Sequence, residues 1–229
     1  MSCCSSKPGD GVAPAGSGLA PVLHVVFDLC MIRIMRKSSA NIRSATKEAS
    51  HERIVSAAAK AIRRSGYDGT GVADIMKEAG LTHGAFYAHF ASREAMLAEA
   101  ADRAGAEANA SAASIVAAVP SDQALQALIR TYLSKEHLEG IEGGCPVSAL
   151  GSEMPRQSPE VRRAVTLRIK EMIDLVARQL PDWGQAGAHE RALVIVATMV
   201  GTLMLARAVD EPALSDALRS ATLKSLAPA

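Results

Sequence analysis

The residues best suited to chemistry lie in one short segment, "GLTHGAFYAHF", which spans residues 80–90. This segment places a threonine, two histidines and a tyrosine beside glycine and alanine. It also holds two phenylalanines, although only 3% of the chain is aromatic. Hydroxyl and imidazole groups on a slim backbone can hydrogen-bond to phosphates and to base edges. The segment therefore predicts contact with nucleic acid, provided that a rigid element presents it.

Motifs for catalysis are absent from the sequence. It contains no G-x-x-x-x-G-K-[ST], no H-E-x-x-H and no G-x-S-x-G. Glu136 and His137 are adjacent, but no motif supplies a partner for them. We therefore predict a protein that is not an enzyme and needs no cofactor. A helical enzyme and an interaction module that does not bind DNA are the alternatives.

The four cysteines do not indicate a metal site or a disulfide framework. Cys3, Cys4 and Cys30 lie near the N-terminus and Cys145 stands alone, with no C-x-x-C or Cys/His spacing. Such a set is typical of reduced thiols in the cytoplasm. We predict no metal and a cytoplasmic protein. The apolar run 192–206 is shorter than a membrane span, so we predict a buried helix and no membrane partner.

Composition favours an all-α fold with its positive charge at one end. The 229 residues are 48% hydrophobic, mostly with helix-forming side chains, which is enough for one large or two small domains. The net charge is only +1, but residues 31–64 carry nine Lys and Arg against two Asp and Glu. Residues 104–229 carry twelve against fourteen. This distribution predicts that an anionic partner meets the N-terminal part.

Two predicted helices precede the segment. An apolar stripe indicates a first helix over about 47–64, which Gly66 can end in the left-handed conformation. A second helix over 72–79 can end in the same way at Gly80.

Two further helices follow. Thr82 can cap a third helix over 83–89, and Ser92 can cap a fourth. Two short helices joined by a turn of about three residues have helix-turn-helix spacing, so the start of the third helix would enter the DNA major groove.

At these residues the chain resembles the tetracycline-repressor (TetR) family of bacterial transcriptional regulators, over about residues 50–98. Ile62 stands where Phe is usual, Phe86 where Leu is usual, and Arg93 where Lys is common; all three are compatible in size or charge. The matching residues are Arg53-Ile54, Ala57-Ala58, Gly66-Tyr67, Thr70, Val72, Ile75, Ala79-Gly80-Leu81-Thr82, Gly84, Tyr87, His89-Phe90, Ser92-Arg93-Glu94 and Leu97.

The resemblance implies an N-terminal three-helix DNA-binding head and a larger helical body that binds an effector and dimerises. We expect the head at 47–104, with its helix-turn-helix motif at 71–90, and the body at 105–229. It also implies a repressor that a small-molecule effector releases from a palindromic operator. We assign DNA contact to Thr70, Gly71, Val72, Thr82, His83, Gly84, Ala85, Tyr87, His89 and Arg93.

Several of these residues have a second interpretation. Thr82 could only cap its helix, and Gly84 could serve close helix packing rather than close approach to DNA. His83 could be a solvated surface histidine, and His89 could bind phosphate or cap the helix. The resemblance implies a Tyr87 ring that faces the core with its hydroxyl on a phosphate.

Two phenylalanines and one arginine complete the expected head. Phe86 and Phe90 fit the core of the head better than stacking on bases, because stacking belongs to single strands. Arg93, at the start of the fourth helix, resembles a clamp for a backbone phosphate.

The body is predicted to hold both a dimer interface and a ligand pocket. The family's last two helices pair with a partner subunit, so we expect a homodimer through 188–226, with Ala197, Gly201 and Leu205 at the interface. The alternative is that the apolar helix there only forms the core of the body. Candidates for the pocket are Tyr132, Cys145, Met154, Met172, Trp183, Met199 and Met204.

Cys145 admits a separate hypothesis. It stands in "GGCP", a pattern that predicts a helix start, where a thiol can become reactive. A regulator that senses thiol oxidants or electrophiles through Cys145 is therefore an alternative, and an inert buried cysteine is the other.

Residues 1–46 are expected to be a disordered, basic extension. The first 18 residues are rich in Gly, Ser and Pro, and Met35 is an alternative translation start. The basic residues of this arm could follow the minor groove or the phosphates. They are Arg33, Arg36, Lys37, Arg43 and Lys47.

Overall fold

The computed structural model describes residues 44–227, and within these it contains helices and connecting turns but no strand, so the all-α prediction is confirmed. Residues 49–227 belong to one compact unit. The helices are α1 (44–65), α2 (Val72–Glu78), a 3-10 helix (His83–Ala88), α3 (Arg93–Ala117), α4 (Ser121–Tyr132), α5 (Lys135–Glu139), α6 (Pro146–Leu150), a second 3-10 helix (Met154–Arg156), α7 (Pro159–Ala177), α8 (Ala188–Ala208) and α9 (Pro212–Ser225).

Two glycines end the first two helices as predicted. Gly66 has φ +78° and Gly80 has φ +68°, a region that glycine enters without the strain of a Cβ. After α2, the Gly80 amide donates to the Lys77 carbonyl and the Leu81 amide to the Met76 carbonyl, at 3.0 and 2.8 Å. This pair of bonds satisfies the last carbonyls of α2 and fixes the turn of the helix-turn-helix.

The element after this turn differs from the prediction. Residues 83–88 form a 3-10 helix, and the Thr82 side chain makes no capping hydrogen bond. Ser92 does cap α3, because its hydroxyl accepts from the Ala95 amide, and Ser158 caps α7 through the Val161 amide. The predicted cap at Ser92 is therefore correct.

Two apolar cores hold the helices together. The first lies under α1, α2, the 3-10 helix and the start of α3, and also contains Leu150, Met154, Val161 and Val165. The second packs α4, α7 and α8 around residues such as Leu128 and Met199. Because α3 runs unbroken past residue 104, the two cores share one helix, and the proposed division there stays a prediction.

Part of the N-terminal prediction lies outside the described residues. The proposed start at Met35 and four of the five basic residues of the arm belong to it; the remaining one, Lys47, lies in α1. Residues 44–46 are helical, so the first helix is longer than predicted.

One described helix, α8, is long and apolar enough to cross a membrane by length and composition alone. Helices that pack inside soluble proteins pass the same test. Only 33% of its apolar window is buried within this chain, which leaves much of its surface without a covering element.

Candidate nucleic-acid interface and ligand cavity

The 3-10 helix presents a narrow polar front. Thr82, His83, Gly84 and Tyr87 are exposed, and the His83 and Tyr87 rings meet edge to face with centroids 6.4 Å apart. Small and hydrogen-bonding groups on a convex surface can enter a DNA groove and reach phosphates or base edges.

A stack of rings holds this front from behind. Phe86 and Phe90 are buried, and their rings stack at 5.6 Å. His51 of α1 stacks on Phe90 at 4.6 Å, and its Nε2 lies 2.6 Å from a carboxylate oxygen of Glu99. The prediction that both phenylalanines belong to the core is therefore confirmed, and α1 and α3 fix the orientation of the front.

Tyr87 differs from the expectation for its ring. The side chain is 74% exposed, so the ring does not enter the core as the resemblance implied. It leans edge-on against Phe86, with centroids 5.2 Å apart. The hydroxyl therefore reaches further from the head than expected.

Gly84 has no structural neighbour that requires a glycine. A Cβ built at this position meets no heavy atom within 4 Å. Close helix packing within the chain, the alternative interpretation, is therefore not the reason for this residue.

Thr70 and Arg93 do not point outward as free DNA-binding groups. Thr70 is buried, and its hydroxyl donates to the Gly66 carbonyl at 2.7 Å. The Arg93 guanidinium donates to the backbone carbonyls of Tyr67 and Thr70. Arg93 therefore holds the turn between α1 and α2 through Nη2, and phosphate contact by its other nitrogens stays a prediction.

The remaining predicted contact residues differ in their exposure. Gly71 is exposed at the start of α2, whereas Val72, Ala85 and His89 are half-buried. Val72 and Ala85 pack against the first core, and His89 follows the 3-10 helix at its end. DNA contact by these residues stays a prediction.

Arg63 and Arg64, which belong to the basic N-terminal part, form hydrogen bonds with other residues of the chain. Arg63 is 3% exposed and donates to Ala59 O, Gly144 O and Glu107 Oε2, at 3.0, 3.4 and 2.7 Å. Arg64 bonds to carboxylates of Glu78 and Glu142, each at 3.0 Å. Neither guanidinium is therefore a free DNA ligand, and the sequence pattern did not reveal this role.

A cavity of about 290 Å³ lies between α3, α4, α7, α8 and the 140–145 loop. Its walls are mostly apolar, as in typical small-molecule sites. The predicted pocket residues Tyr132, Cys145, Met172 and Met199 all line it. Other wall residues are Asn109, Ser111, Thr131, Ser134, Glu136, His137, Gly140 and Gly144.

Three of the predicted pocket residues do not line this cavity. Met154 packs in the first core instead, and Trp183 is 50% exposed in the turn after α7. Met204 is also not one of its wall residues.

A network of polar groups adjoins the cavity at His137 and Cys145. His137 Nδ1 lies 2.7 Å from the Tyr132 carbonyl, and its Nε2 accepts from the Cys145 amide at 3.0 Å. Because a carbonyl only accepts, the proton sits on Nδ1. Burial, opposed by that bond and assisted by the charge of Arg207, lowers the pKa of His137 and favours this neutral form.

Arg207 closes the network from α8. Its guanidinium donates to the carbonyls of Leu138 and His137 and to the Ser148 hydroxyl, at 3.1, 2.6 and 2.8 Å. Ser148 in turn donates to the Cys145 carbonyl at 2.9 Å. These bonds position the loop and α6 around Tyr132.

One face of α8 lies open. Val194 and Leu205 are 63% and 56% exposed, and Ala197 is exposed between them. A Cβ added at Gly201 meets no heavy atom within 4 Å. Among the described residues, no helix of this chain covers the small residues Ala197 and Gly201.

Two protein-family models match this chain, one in its N-terminal part and one in its C-terminal part. The family of bacterial regulatory proteins, tetR family, matches residues 54–100, and the C-terminal domain of LmrA/YxaF-like transcriptional regulators matches residues 122–219. The first match covers the helix-turn-helix and the second covers most of the cavity and α8.

Individual relatives of this chain are also named as transcriptional regulators. An uncharacterized HTH-type transcriptional regulator of Mycobacterium tuberculosis is 32% identical over 169 residues, which cover 68% of this chain and 83% of that protein. The HTH-type transcriptional regulator LmrA of Bacillus subtilis is 28% identical, over 68% of this chain and 85% of LmrA.

Solved structures share the fold. A TetR transcriptional regulator from Chloroflexus aurantiacus is similar with a TM-score of 0.66 and 26% identity, over 80% of this chain and 96% of that one. A TetR-family regulator from Agrobacterium tumefaciens has the same TM-score at 21% identity, over 80% and 100% of the two chains.

Proposed function

Since this chain belongs to the TetR family of bacterial regulatory proteins, it is a DNA-binding transcriptional regulator, and we propose that it is a repressor that a small molecule releases from a palindromic operator. The family consists of regulators and not of enzymes, so the prediction of a non-enzymatic protein is confirmed. The observation that carries the proposal is the exposed, ring-backed front of Thr82, His83, Gly84 and Tyr87.

The front supports reading of a DNA groove. Its backbone is bare at Gly84, and its outward side chains offer hydroxyl and imidazole groups without a bulky aliphatic residue. Such a surface can approach base edges closely, while the Tyr87 hydroxyl reaches a phosphate. Gly71, which is exposed, and His89, which is half-buried, are further expected contacts.

The open face of α8 supports a homodimer. TetR-family regulators act as dimers. Exposed Val194, Leu205 and Ala197 would lose water on contact with a second copy, and Gly201 allows the two α8 helices to approach closely. Two heads about 34–36 Å apart could then read successive major grooves of a palindrome.

The position of Arg63 supports release by a ligand. Its guanidinium joins α1 to the carbonyl of Gly144, which lines the cavity. A molecule that displaces the 140–145 loop would move a bond that holds the helix behind the DNA-binding front. Effector binding and DNA binding would then oppose each other.

Cys145 carries a second candidate, a regulator that responds to electrophiles. Its thiol lines the cavity, so a reactive molecule held there could reach the sulfur. The side chain is 5% exposed, which restricts attack to molecules that enter the cavity. Release of DNA by an electrophile such as N-ethylmaleimide that persists in Cys145→Ser would contradict this candidate.

We place the protein in the cytoplasm, where a bacterial operator is accessible. TetR-family regulators are soluble DNA-binding proteins, and the exposed apolar surface of α8 fits a partner subunit.

A selection of binding sites from random duplex DNA tests the proposal. We expect the purified protein to enrich two inverted half-sites whose centres are one helical turn apart. In a gel-shift assay, Tyr87→Ala should abolish or strongly weaken the shifted band while the protein stays folded. Tyr67→Phe, a substitution in the core of the head, should leave the band unchanged. Enrichment of no sequence would contradict the proposal.

A further inference from the structure

A carboxylate from the C-terminal part of the chain lies on the turn that joins α1 to α2. Glu153 stands between α6 and the second 3-10 helix, and its Oε2 accepts a hydrogen bond of 2.8 Å from the Tyr67 amide, 86 positions earlier in the chain. A hydrogen bond to a carboxylate is stronger than one between neutral groups. Glu153 is therefore a firm attachment point for this turn.

The turn has room for the carboxylate because it contains a glycine. A Cβ built at Gly66 would lie 2.6 and 2.9 Å from the two carboxylate oxygens of Glu153. Non-bonded atoms prefer a separation of about 3.5 Å or more, so any side chain here would push the carboxylate away. Gly66 therefore allows the close approach of Glu153 in addition to the left-handed end of α1.

The peptide group that Glu153 binds is also bonded at its other end. The Gly66 carbonyl shares this group with the Tyr67 amide, and it accepts from the Thr70 hydroxyl at 2.7 Å. A peptide group next to glycine can rotate easily if nothing holds it. Glu153 therefore fixes the orientation of the carbonyl that Thr70 binds, one residue before Gly71 and the start of α2.

The start of α3 holds the same turn from another side. Arg93 Nη2 donates to the carbonyls of Tyr67 and Thr70, and the Tyr67 side chain is fully buried. The backbone of Tyr67 is thus bonded at its N–H by Glu153 and at its C=O by Arg93. Because α2 follows this turn directly, these bonds set the direction in which α1 leads into the helix-turn-helix.

Packing on both sides keeps Glu153 in place. The neighbouring residues Leu150 and Met154 are buried in the first core, which also contains α1 and α2. Cys145, which precedes α6, lines the ligand cavity. The position of the carboxylate is therefore set by the segment 145–154 as a whole.

We propose that Glu153 is a positioning residue for DNA binding: it acts through the Gly66–Tyr67 peptide group and holds the start of the helix-turn-helix in the orientation that the operator requires. This inference rests on the proposed function, because operator affinity is its main readout.

Two conservative variants separate the bond from the charge. Glu153→Asp keeps the charge but is one methylene too short to reach the Tyr67 amide, whereas Glu153→Gln keeps an acceptor oxygen at the same reach. We expect the dissociation constant for the selected operator to rise about 10-fold in Glu153→Asp and less than about 3-fold in Glu153→Gln, as measured by fluorescence anisotropy. Affinity of Glu153→Asp for a scrambled duplex should not change, because the net charge is the same.

A control variant and a measurement without DNA accompany them. Glu139→Asp shortens an exposed carboxylate whose partner is Lys135 of the same helix, so operator affinity should stay native. Amide hydrogen exchange in residues 66–71 should become faster in Glu153→Asp and stay nearly native in Glu153→Gln. Exchange in α4 should not change in either variant, since the loosening is local.

Three results would overturn the proposal: native operator affinity in Glu153→Asp, an equal loss of affinity for operator and scrambled duplex in that variant, or a larger loss in Glu153→Gln than in Glu153→Asp. Failure of the proposed function would appear in the native protein, as the selection of no operator. In that case the exchange measurement still decides whether Glu153 fixes the turn, and unchanged exchange in Glu153→Asp would overturn this inference.

Discussion

The Arg63 guanidinium of α1 donates a hydrogen bond of 3.4 Å to the carbonyl of Gly144, 81 positions further along the chain. Gly144 lines the cavity, whereas α1 packs behind the DNA-binding front. One buried cation therefore contacts both the head and the wall of the ligand cavity. Its third partner, Glu107 of α3, lies on the helix that both cores share.

Arg63→Lys should weaken this junction. A lysine amine cannot bind the three acceptors in the same geometry, so we expect the free energy of unfolding to fall by about 1–3 kcal/mol. The lower end applies if water solvates Glu107, whose side chain is 40% exposed. Amide hydrogen exchange in residues 140–145 should become faster.

Arg103→Lys is the matched control for that variant. Arg103 of α3 bonds to the exposed carboxylate of Glu52 in α1 and not to the 140–145 loop, so the change should cost less than Arg63→Lys and leave exchange in the loop nearly as it was. Equal effects of the two substitutions would contradict a coupling role for Arg63.

Gly84→Ala should separate DNA affinity from stability. The added methyl group meets no atom of the chain, so the thermal midpoint should not fall. If the backbone at Gly84 approaches DNA closely, affinity for the selected operator should drop about 10-fold, as measured by fluorescence anisotropy. Unchanged affinity would remove Gly84 from the interface.

Gly80→Ala is the complementary change. The residue has φ +68°, and the nearest atom to a new Cβ is Arg53 Nη1 at 3.7 Å, so the cost is conformational rather than steric. We expect a loss of about 1 kcal/mol in the free energy of unfolding, measured with urea.

Sequence patterns predicted the local features of the head. Gly66 and Gly80 take positive φ because only a residue without Cβ does so at low cost after a helix. The cap at Ser92 follows from a hydroxyl placed before a helix. These features depend on neighbours a few positions away, so the local sequence contains the needed information.

Features set by distant contacts were not predictable. The short 83–88 element is a 3-10 helix, and over six residues propensity does not distinguish i→i+3 from i→i+4 bonding. Tyr132 and Met199 converge on one cavity, whereas Met154 and Trp183 lie elsewhere, because helix packing decides which faces meet. The bonds from Arg93 Nη2 to the carbonyls of Tyr67 and Thr70 were also not foreseen, since they join residues more than twenty positions apart.

Leu205→Arg should disrupt the proposed dimer. A charge on the open face of α8 could not be buried against a second copy without losing its hydration. We expect sedimentation at micromolar concentration to change from a dimer to a monomer. Leu167→Arg, at an equally exposed leucine on α7, should remain dimeric. A native protein that sediments as a monomer would contradict the interface.

Acidification should lower the free energy of unfolding of the protein through His137. Burial lowers the pKa of this histidine, so below its ordinary value of 6.5 the unfolded chain binds more protons than the folded one. Stability should therefore decrease as the pH falls from about 7 to 5. In His137→Gln, urea unfolding should show a smaller decrease over this range, and an identical decrease would exclude His137 as a cause.

The affinity for the selected palindrome, relative to a scrambled duplex of the same composition, tests the central claim most directly. At about 150 mM salt we predict that the native protein prefers the palindrome by at least about 1000-fold in fluorescence anisotropy. Equal affinities for the two duplexes would contradict the account of a sequence-reading regulator.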